Sequence, residues 1–535
     1  MAVTCDCRVE LALHTTFGLF DSVIFDDGIF DVDTWVDAIG QGDILTVPLV
    51  CEYGIRGNSP NDRIASTGTL SFTLKNSATN SGGVVGYYSL LNVNKRAGFD
   101  LNLPVRFILS SPDVGSSTRY YKFRGVLDQA IPDPGTHGPR QTHCTAVDLW
   151  DDYARIDEPD VALQTNKRAD QILTTMIDAL NKQPAARSFE TGSESYTYSL
   201  DGGTGQTMKV RERINQLALS EFGYCYTKGD TTQGDTLTFE ARGHRAANPT
   251  VLFTFDNDML QEAGLTVPGA RSDVFKTAKV FVHPTNDVAS ASTIVLWSLQ
   301  NSTTLIAIGE TNTTLFGAFF DPTTKEDIGG TSTIDPVATT DYTMNVLQDG
   351  TGADLTANFT VTASRTGLGV RWTITNGGAS AGYITKLQVR GKPIYRYDAE
   401  IDVAVASGYG DQVIELDMAF QNNANVGKDV ATAIAQRFSA PFAQVPWVRF
   451  WANKSVAFMT AALQREPGDR IAISETVTGL NAASHQFTIN GCRYELQQNG
   501  QLFCTWFLEA ASNATYWLLG TTNSSELGQT TGLGF

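Results

Sequence analysis

Leu70, Phe72 and Leu74 alternate with Ser71, Thr73 and Lys75, a period of two that predicts a strand with one apolar face. Gly68 precedes it, and Asn76-Ser77 ends it with turn chemistry. Two strands answer it, over Leu103–Leu109 and Tyr120–Leu127. Val9, Leu11 and Leu13 mark a first strand within 8–20, Ile44, Leu45, Val47 and Leu49 another over 43–55, and Thr145–Trp150 the next. Residues 131–140, I-P-D-P-G-T-H-G-P-R, predict a turn-rich connection. Asp151, Asp152, Asp157, Glu158 and Asp160 read as a solvated linker, with a paired-carboxylate site as the alternative.

The period then changes. Ala169, Ile172, Leu173, Met176, Ile177 and Leu180 share one helical face, which predicts a helix over 167–181 capped by Thr165-Asn166. Val210, Ile214, Leu217 and Ala218 predict a second helix over 208–222, ended by Gly223. Tyr224–Thr227 and Thr236–Glu240 then pair as a hairpin through a turn at 228–235. Phe253/Phe255 and Val280/Val282 alternate in further strands.

From 290 to about 390 the chain is charge-poor, with short strands about every ten residues, such as Thr293–Trp297, Tyr342–Val346, Asn358–Thr362, Val370–Ile374 and Tyr383–Val389. That spacing suits an inserted β-sandwich. A helix over 427–438 follows, with Val430, Ala433, Ile434 and Phe438 inward. Strands at Trp447–Trp451, at Ile471–Ile473 after the turn Glu466-Pro-Gly-Asp-Arg470, at Phe487–Gly491, Tyr494–Leu496 and Leu502–Leu508 complete a small antiparallel barrel.

The expected fold is therefore mainly β with a small α+β part, in several domains. These are a β-barrel domain at 1–160, a helix-helix-hairpin domain at 161–245, connecting β elements at 246–289 plus 391–430, the sandwich at 290–390, a second barrel at 431–515 and a polar, flexible tail at 516–535.

Charge narrows the function. Asp and Glu exceed Lys and Arg by 57 to 39, a formal charge of -18, which disfavours general binding to a phosphate backbone. Seven scattered cysteines, an odd number in a long chain, argue for reduced thiols and intracellular synthesis. The start lacks the charged and apolar regions of a signal peptide, and no apolar run reaches a membrane span of roughly 18 residues.

Candidate chemistry is sparse. Asp26, Asp27, Asp31 and Asp33 raise a calcium loop, but their spacing departs from the EF-hand pattern, and an acidic extended segment pinned by Phe25, Phe30 and Trp35 fits better. Cys5 and Cys7 with His143 and Cys144 form a metal set only if the fold converges them; buried or incidental thiols are the other reading. His14, His137, His244, His283 and His485 form no i,i+4 pair. Gly202-Gly203-Thr204-Gly205 lacks the Lys-Ser/Thr ending of a phosphate loop and reads as a turn. The sequons at Asn301 and Asn312 carry no consequence without secretion. No catalytic, cofactor or metal residue is assigned.

Several of these strands together resemble the hub proteins of tailed-phage tail tips and baseplates. Gly68-Thr-Leu-Ser-Phe-Thr-Leu-Lys-Asn76, Leu103-Pro-Val-Arg-Phe107 and Tyr121-Lys-Phe-Arg-Gly-Val-Leu-Asp128 are similar to the first hub barrel. The Phe-Asp segment at 25–36, the hairpin ending in Leu237–Arg242, and Trp372–Asn376 through Ile384–Gly391 look like further pieces of such proteins. Glu466–Ile471 with Phe487–Gly491 resembles the closing barrel. Each motif is strand grammar, and their order over most of the chain is the stronger signal. The sandwich at about 290–390 is the departure.

The resemblance implies a non-enzymatic virion protein, synthesised in the host cytoplasm, that forms a homotrimer at the distal end of the tail tube. It implies two related barrels per subunit in a pseudo-sixfold ring, with tube, tape-measure and tip or fibre proteins as partners. DNA would pass the lumen without specific binding. The alternative is a host-adhesion protein whose sandwich holds a surface glycan, with Trp297, Trp372 and Tyr383 as stacking or core aromatics. A cell-wall-degrading enzyme is a third reading without a motif.

Overall fold

The structure is a computed structural model that describes residues 3–13, 34–115, 118–134, 140–159, 161, 163–199, 208–257, 264–267, 274–286, 288, 290–300, 304–406, 412–438, 445–497 and 500–511. The Phe-Asp segment before Thr34, Gly202–Gly205, Asn301 and the tail after Ala511 lie outside these residues.

Alternation along the N-terminal strands puts one apolar row inward. Val9, Leu11, Leu70, Leu74, Val105, Phe107 and Leu127 are all fully buried. Seven antiparallel strands carry this row, in the order Thr34–Asp37, Asp6–Leu13, Pro104–Ser110, Tyr120–Pro132, Gln141–Val147, Thr69–Lys75, Ile44–Gly54. Trp35, the one described aromatic of the acidic segment, lies under the Arg106 guanidinium, 3.8 Å from its ring centre.

The strands expected for the second barrel belong to the same sheet. Gln486–Leu496 pairs along its length with Leu502–Ala510, and on its other edge with Arg470–Ile473 and then with Ile44–Gly54. The last register runs from Gly491 opposite Gly54 to Leu496 opposite Leu49. Strands Trp447–Trp451 and Phe253–Phe255 extend the set, which makes one sheet of twelve strands. Two glycines permit the join. Gly54 has φ +91°, and a Cβ there would sit 2.7 Å from the Asn490 carbonyl; a Cβ on Gly491 would meet the Ile55 and Tyr53 carbonyls at 2.8 Å. Phe253, Phe255, Phe450, Phe458 and Trp506 pack beneath this second set.

Three local expectations change. Asp148 Oδ1 accepts the Trp150 N–H, and Leu149, Trp150 and Tyr153 are buried, so Leu149–Arg155 is a capped helix rather than strand end and linker. Thr165 and Asn166 lie in the strand Gln164–Arg168, which pairs with Ser195–Ser199; the helix begins only at Ala169. Val456–Gln464 is a further helix, capped by Ser455, that buries Phe458, Met459 and Leu463. The helix Val210–Glu221 and the hairpin Tyr224–Lys228 with Thr236–Glu240 stand where the pattern puts them, except that Phe222 at φ 56°, not Gly223, takes the left-handed position that ends the helix; Ala186–Phe189 adds in parallel to the hairpin.

Phe275–Val282 pairs with Glu400–Val405 and Gln412–Met418, and helix Ala424–Arg437 covers one face. Val282 stands opposite Glu400, so everything between them is one excursion from a hairpin. That excursion holds two small sheets. One is built on the long strand Gly382–Ile394 and the other on Gly369–Asn376, and they enclose Leu296, Met344, Trp372, Ile374 and Leu387.

Candidate functional site

Glu466 opens the turn that leads into the strand Arg470–Ile473. Gly468 takes φ +98° there, and its N–H bonds the Ile489 carbonyl at 2.8 Å, which fixes the turn against its neighbour strand. The Glu466 side chain is thereby held between three parts of the chain. Its Oε1 accepts from Lys122 Nζ at 2.5 Å. Its Oε2 accepts from the Tyr53 hydroxyl at 2.8 Å and from the Gly229 N–H at 3.0 Å. Lys122 and Tyr53 come from the N-terminal strands, and Gly229 from the turn of the α+β hairpin. Tyr121 and Asp230 exchange both backbone hydrogen bonds beside it, at 2.8 and 3.1 Å. The Lys122 side chain has no solvent exposure, and a buried ammonium stands only if it is paired.

A second buried carboxylate, Glu509, lies near the end of Leu502–Ala510. Arg245 Nη1 reaches its Oε2 at 3.0 Å, Arg437 Nη2 its Oε1 at 3.1 Å, and the Tyr224 hydroxyl donates at 2.8 Å. Arg245 also pairs with Glu240 at 2.8 Å and lies flat on the Tyr224 ring. Arg63 stacks over Phe222 and donates Nε to the Pro60 carbonyl. Burial alone would raise the Glu509 carboxyl, but Arg437, Arg63 and Arg245 hold it below the usual range. Glu240 is likewise lowered against its burial, by Arg245 and then His244. The Tyr226 hydroxyl stands 2.5 Å from Glu240 Oε1 and 3.0 Å from the Pro467 carbonyl, so the two charge clusters share one wall. These clusters tie together strands and turns that are distant along the chain, and each of the carboxylates Glu466, Glu509 and Glu240 is paired with a cation.

The residues singled out from sequence are otherwise dispersed. Cys5 and Cys7 approach at 3.7 Å between sulfurs on the first strand. His143 points outward to Thr73, Gln141 and Asp133, while Cys144 is buried on the opposite face of its strand. Among the described residues no group of three or more His, Cys, Asp or Glu is placed to hold a metal ion. Trp372 is fully buried in the sandwich core, and the partly buried Trp297 packs against it at 5.9 Å between rings. Tyr383 is half-buried on the long strand. A shallow depression of about 290 Å³ is lined by Phe281, His283, Glu415, Leu416 and Asp417, where His283 and Asp417 already pair at 2.5 Å.

Sequence reasoning marked Glu466-Pro-Gly-Asp only as a turn and missed Lys122, Tyr53, Arg245 and Glu509 as partners. The available signal was a lysine flanked by strand aromatics at Tyr121-Lys122-Phe123 and a carboxylate within the apolar run Trp506–Ala510. Among the described residues the most exposed large apolar side chains, Leu91 and Val93, lie on the connection 76–103, on a frame tied to the buried Asp43. Asp43 accepts from the Ser81 N–H and hydroxyl and from the Tyr88 hydroxyl.

No family model and no curated protein matches the chain. Among solved structures, the 43 kDa tail protein of prophage MuSo2 from Shewanella oneidensis aligns with 96% of this chain and 100% of its own, at 8% identity and a TM-score of 0.44. The tail protein from Neisseria meningitidis MC58 aligns with 94% of this chain and 96% of its own, at 8% identity and a TM-score of 0.44. The E. coli c3393 protein, a type VI secretion component with structural similarity to the T4 bacteriophage tail proteins gp27 and gp5, aligns with 88% of this chain and 74% of its own, at 7% identity and a TM-score of 0.35. Phage tail proteins, the group that the strand motifs resemble, thus stand among the solved structures similar to this chain.

Proposed function

We propose that the chain is a virion structural protein, the hub of a phage tail tip. Three copies form a ring at the distal end of the tail tube, joining tube to tip or fibre proteins around the channel for DNA and the tape-measure protein. The observation that carries the reading is the single sheet through which the first and last strand sets join at Gly54 and Gly491. The motifs that resemble the hub family fall on this sheet and on the turn that locks it, at Thr69–Lys75, Pro104–Ser110, Tyr120–Pro132 and Glu466. Such a body transmits force and presents edges, as a mechanical connector must. Its ionic clusters are consumed in holding domains together, which favours a non-enzymatic role. The -18 charge suits a lumen wall that repels a phosphate backbone and lets DNA slide.

Native mass spectrometry with negative-stain imaging tests the reading. The expected result is a trimeric ring with a central hole or plug. A chain that stays monomeric both alone and with the distal tube protein overturns it. A ring whose lumen is lined mainly by Lys and Arg overturns the sliding-wall part alone.

A further inference from the structure

Arg63 lies on the connection 55–68, between the strands Ile44–Gly54 and Thr69–Lys75, and is 1% exposed. Its backbone is tied to the α+β hairpin. The Cys225 N–H donates to the Arg63 carbonyl and the Ala65 N–H to the Cys225 carbonyl, each at 2.9 Å. The guanidinium sits against two rings, its carbon 3.8 Å from the centre of Phe222 and 4.5 Å from that of Tyr224. Ring faces stabilise a cation, but they leave the N–H groups at its edge to find acceptors elsewhere. Nε has the Pro60 carbonyl at 2.7 Å. Nη2 is closed off from solvent and has no acceptor among the described residues. Nor does any described carboxylate form an ion pair with Arg63. Asp62, next in sequence, accepts the Ser59 N–H instead, and Glu509 is taken by Arg245 and Arg437.

Three neighbouring guanidinium groups, of Arg63, Arg245 and Arg437, thus meet two paired carboxylates, Glu509 and Glu240. Arg245 Nη2 is a second enclosed group without an acceptor among the described residues, on a guanidinium 3.3 Å from the centre of the same Tyr224 ring. Desolvation lowers the Arg63 guanidinium against the pull of Tyr224 and Glu509, whereas Arg437 is raised by Glu509 in spite of its desolvation. A cation taken out of water is costly unless a counter-ion and acceptors meet it.

We propose that Arg63 Nη2 binds a monovalent inorganic anion of chloride size, in the field of Arg245 and Arg437, at the seam between the connection 55–68 and the hairpin. The donors set the ligand class. N–H groups alone suit a halide, which accepts from any direction. A divalent oxyanion loses far more hydration on burial, and the enclosed setting admits no bulky group. The anion supplies the negative charge that Arg63 lacks and fastens the hairpin to the strand sheet, whether or not the chain assembles as a hub.

Urea unfolding of the full chain at constant ionic strength tests this, with sodium gluconate replaced stepwise by sodium chloride. The folded-to-unfolded ratio is expected to rise up to ~10-fold for each tenfold rise in chloride above its dissociation constant, because the site exists only in the folded chain. Bromide acts as chloride does, and sulfate does not. Hydrogen exchange at Ala65 and Cys225 slows over the same chloride range. Arg63→Met removes the charge and its N–H groups, keeps an apolar stem against the two rings, and is expected to fold and to lose the chloride response. Crystals of the parent chain grown in bromide give a reading that needs no variant, an anomalous peak in hydrogen-bond reach of Arg63 Nη2. A folded-to-unfolded ratio that is flat in chloride overturns the proposal, as does an equal chloride response in Arg63→Met. An ordered water at Nη2 without anomalous signal overturns it too.

Discussion

Lys122 donates to Glu466 across 344 residues of chain, at 2.5 Å, with the lysine sealed from solvent. Removing one partner strands the other in a low-dielectric site. Glu466→Ala is expected to cost about 3–5 kcal/mol, while Lys122→Met with Glu466→Leu together costs far less. A double-mutant cycle in urea measures both, with the N-terminal strands and the α+β hairpin loosening first in the single variant.

Asp148 is buried and Asp235 partly so, and desolvation pushes their carboxyls up to about 7 and about 8; the Asp148 charge adds to the rise at Asp235. Groups raised in the folded state contribute stability that is present below the unfolded carboxylate range and lost as pH rises through the folded values. Asp235→Asn keeps the shape and tolerates φ 60°. It is expected to be near neutral at pH 4 and stabilising by on the order of 3 kcal/mol above pH 8. Equal unfolding midpoints of variant and parent at both pH values would contradict this.

Glu509 and Glu240 run the other way. Their folded carboxyls are lowered, so their stability is present above the unfolded range and disappears as pH falls through the folded values. Acid unfolding is therefore expected to begin at the Arg245 junction. Glu509→Gln should move the acid midpoint upward, as read by near-UV circular dichroism.

Gly54 and Gly491 meet backbone carbonyls on both sides of the strand join. Gly54→Ala also imposes a positive φ on a residue with Cβ. A loss of about 2 kcal/mol or more is expected, compared with about 1 kcal/mol for Gly83→Ala, which shares a positive φ of 66° but has open space around its Cβ. Thermal unfolding of the two variants compares them directly.

Cys51, Cys144, Cys225, Cys492 and Cys504 are buried, and burial is the first cause raising each thiol. Ellman's reagent is expected to reach at most Cys5 and Cys7 in the native protein, and all seven in guanidinium. More than two fast thiols would count against the packing described.

Period-two alternation around Leu70, Phe72 and Leu74, and the helical faces at Ile172 and Ile214, specified strands and helices because each side chain has to turn toward or away from one nearby core. That physics is local, so the sequence by itself determined the β-rich class, the helix-helix-hairpin module and the strand-dense insertion. Short helices escaped it: at Leu149 the apolar run is too brief for a period, and Asp148 decides the outcome by capping. Only the tertiary structure decided that both strand sets share one sheet, since the pairing of Leu49 with Leu496 depends on two glycines letting distant backbones approach. It alone placed Glu466 against Lys122 and Glu509 against three arginines. A charge in sequence names no partner. Burial does, because an ion taken out of water persists only beside its counter-ion.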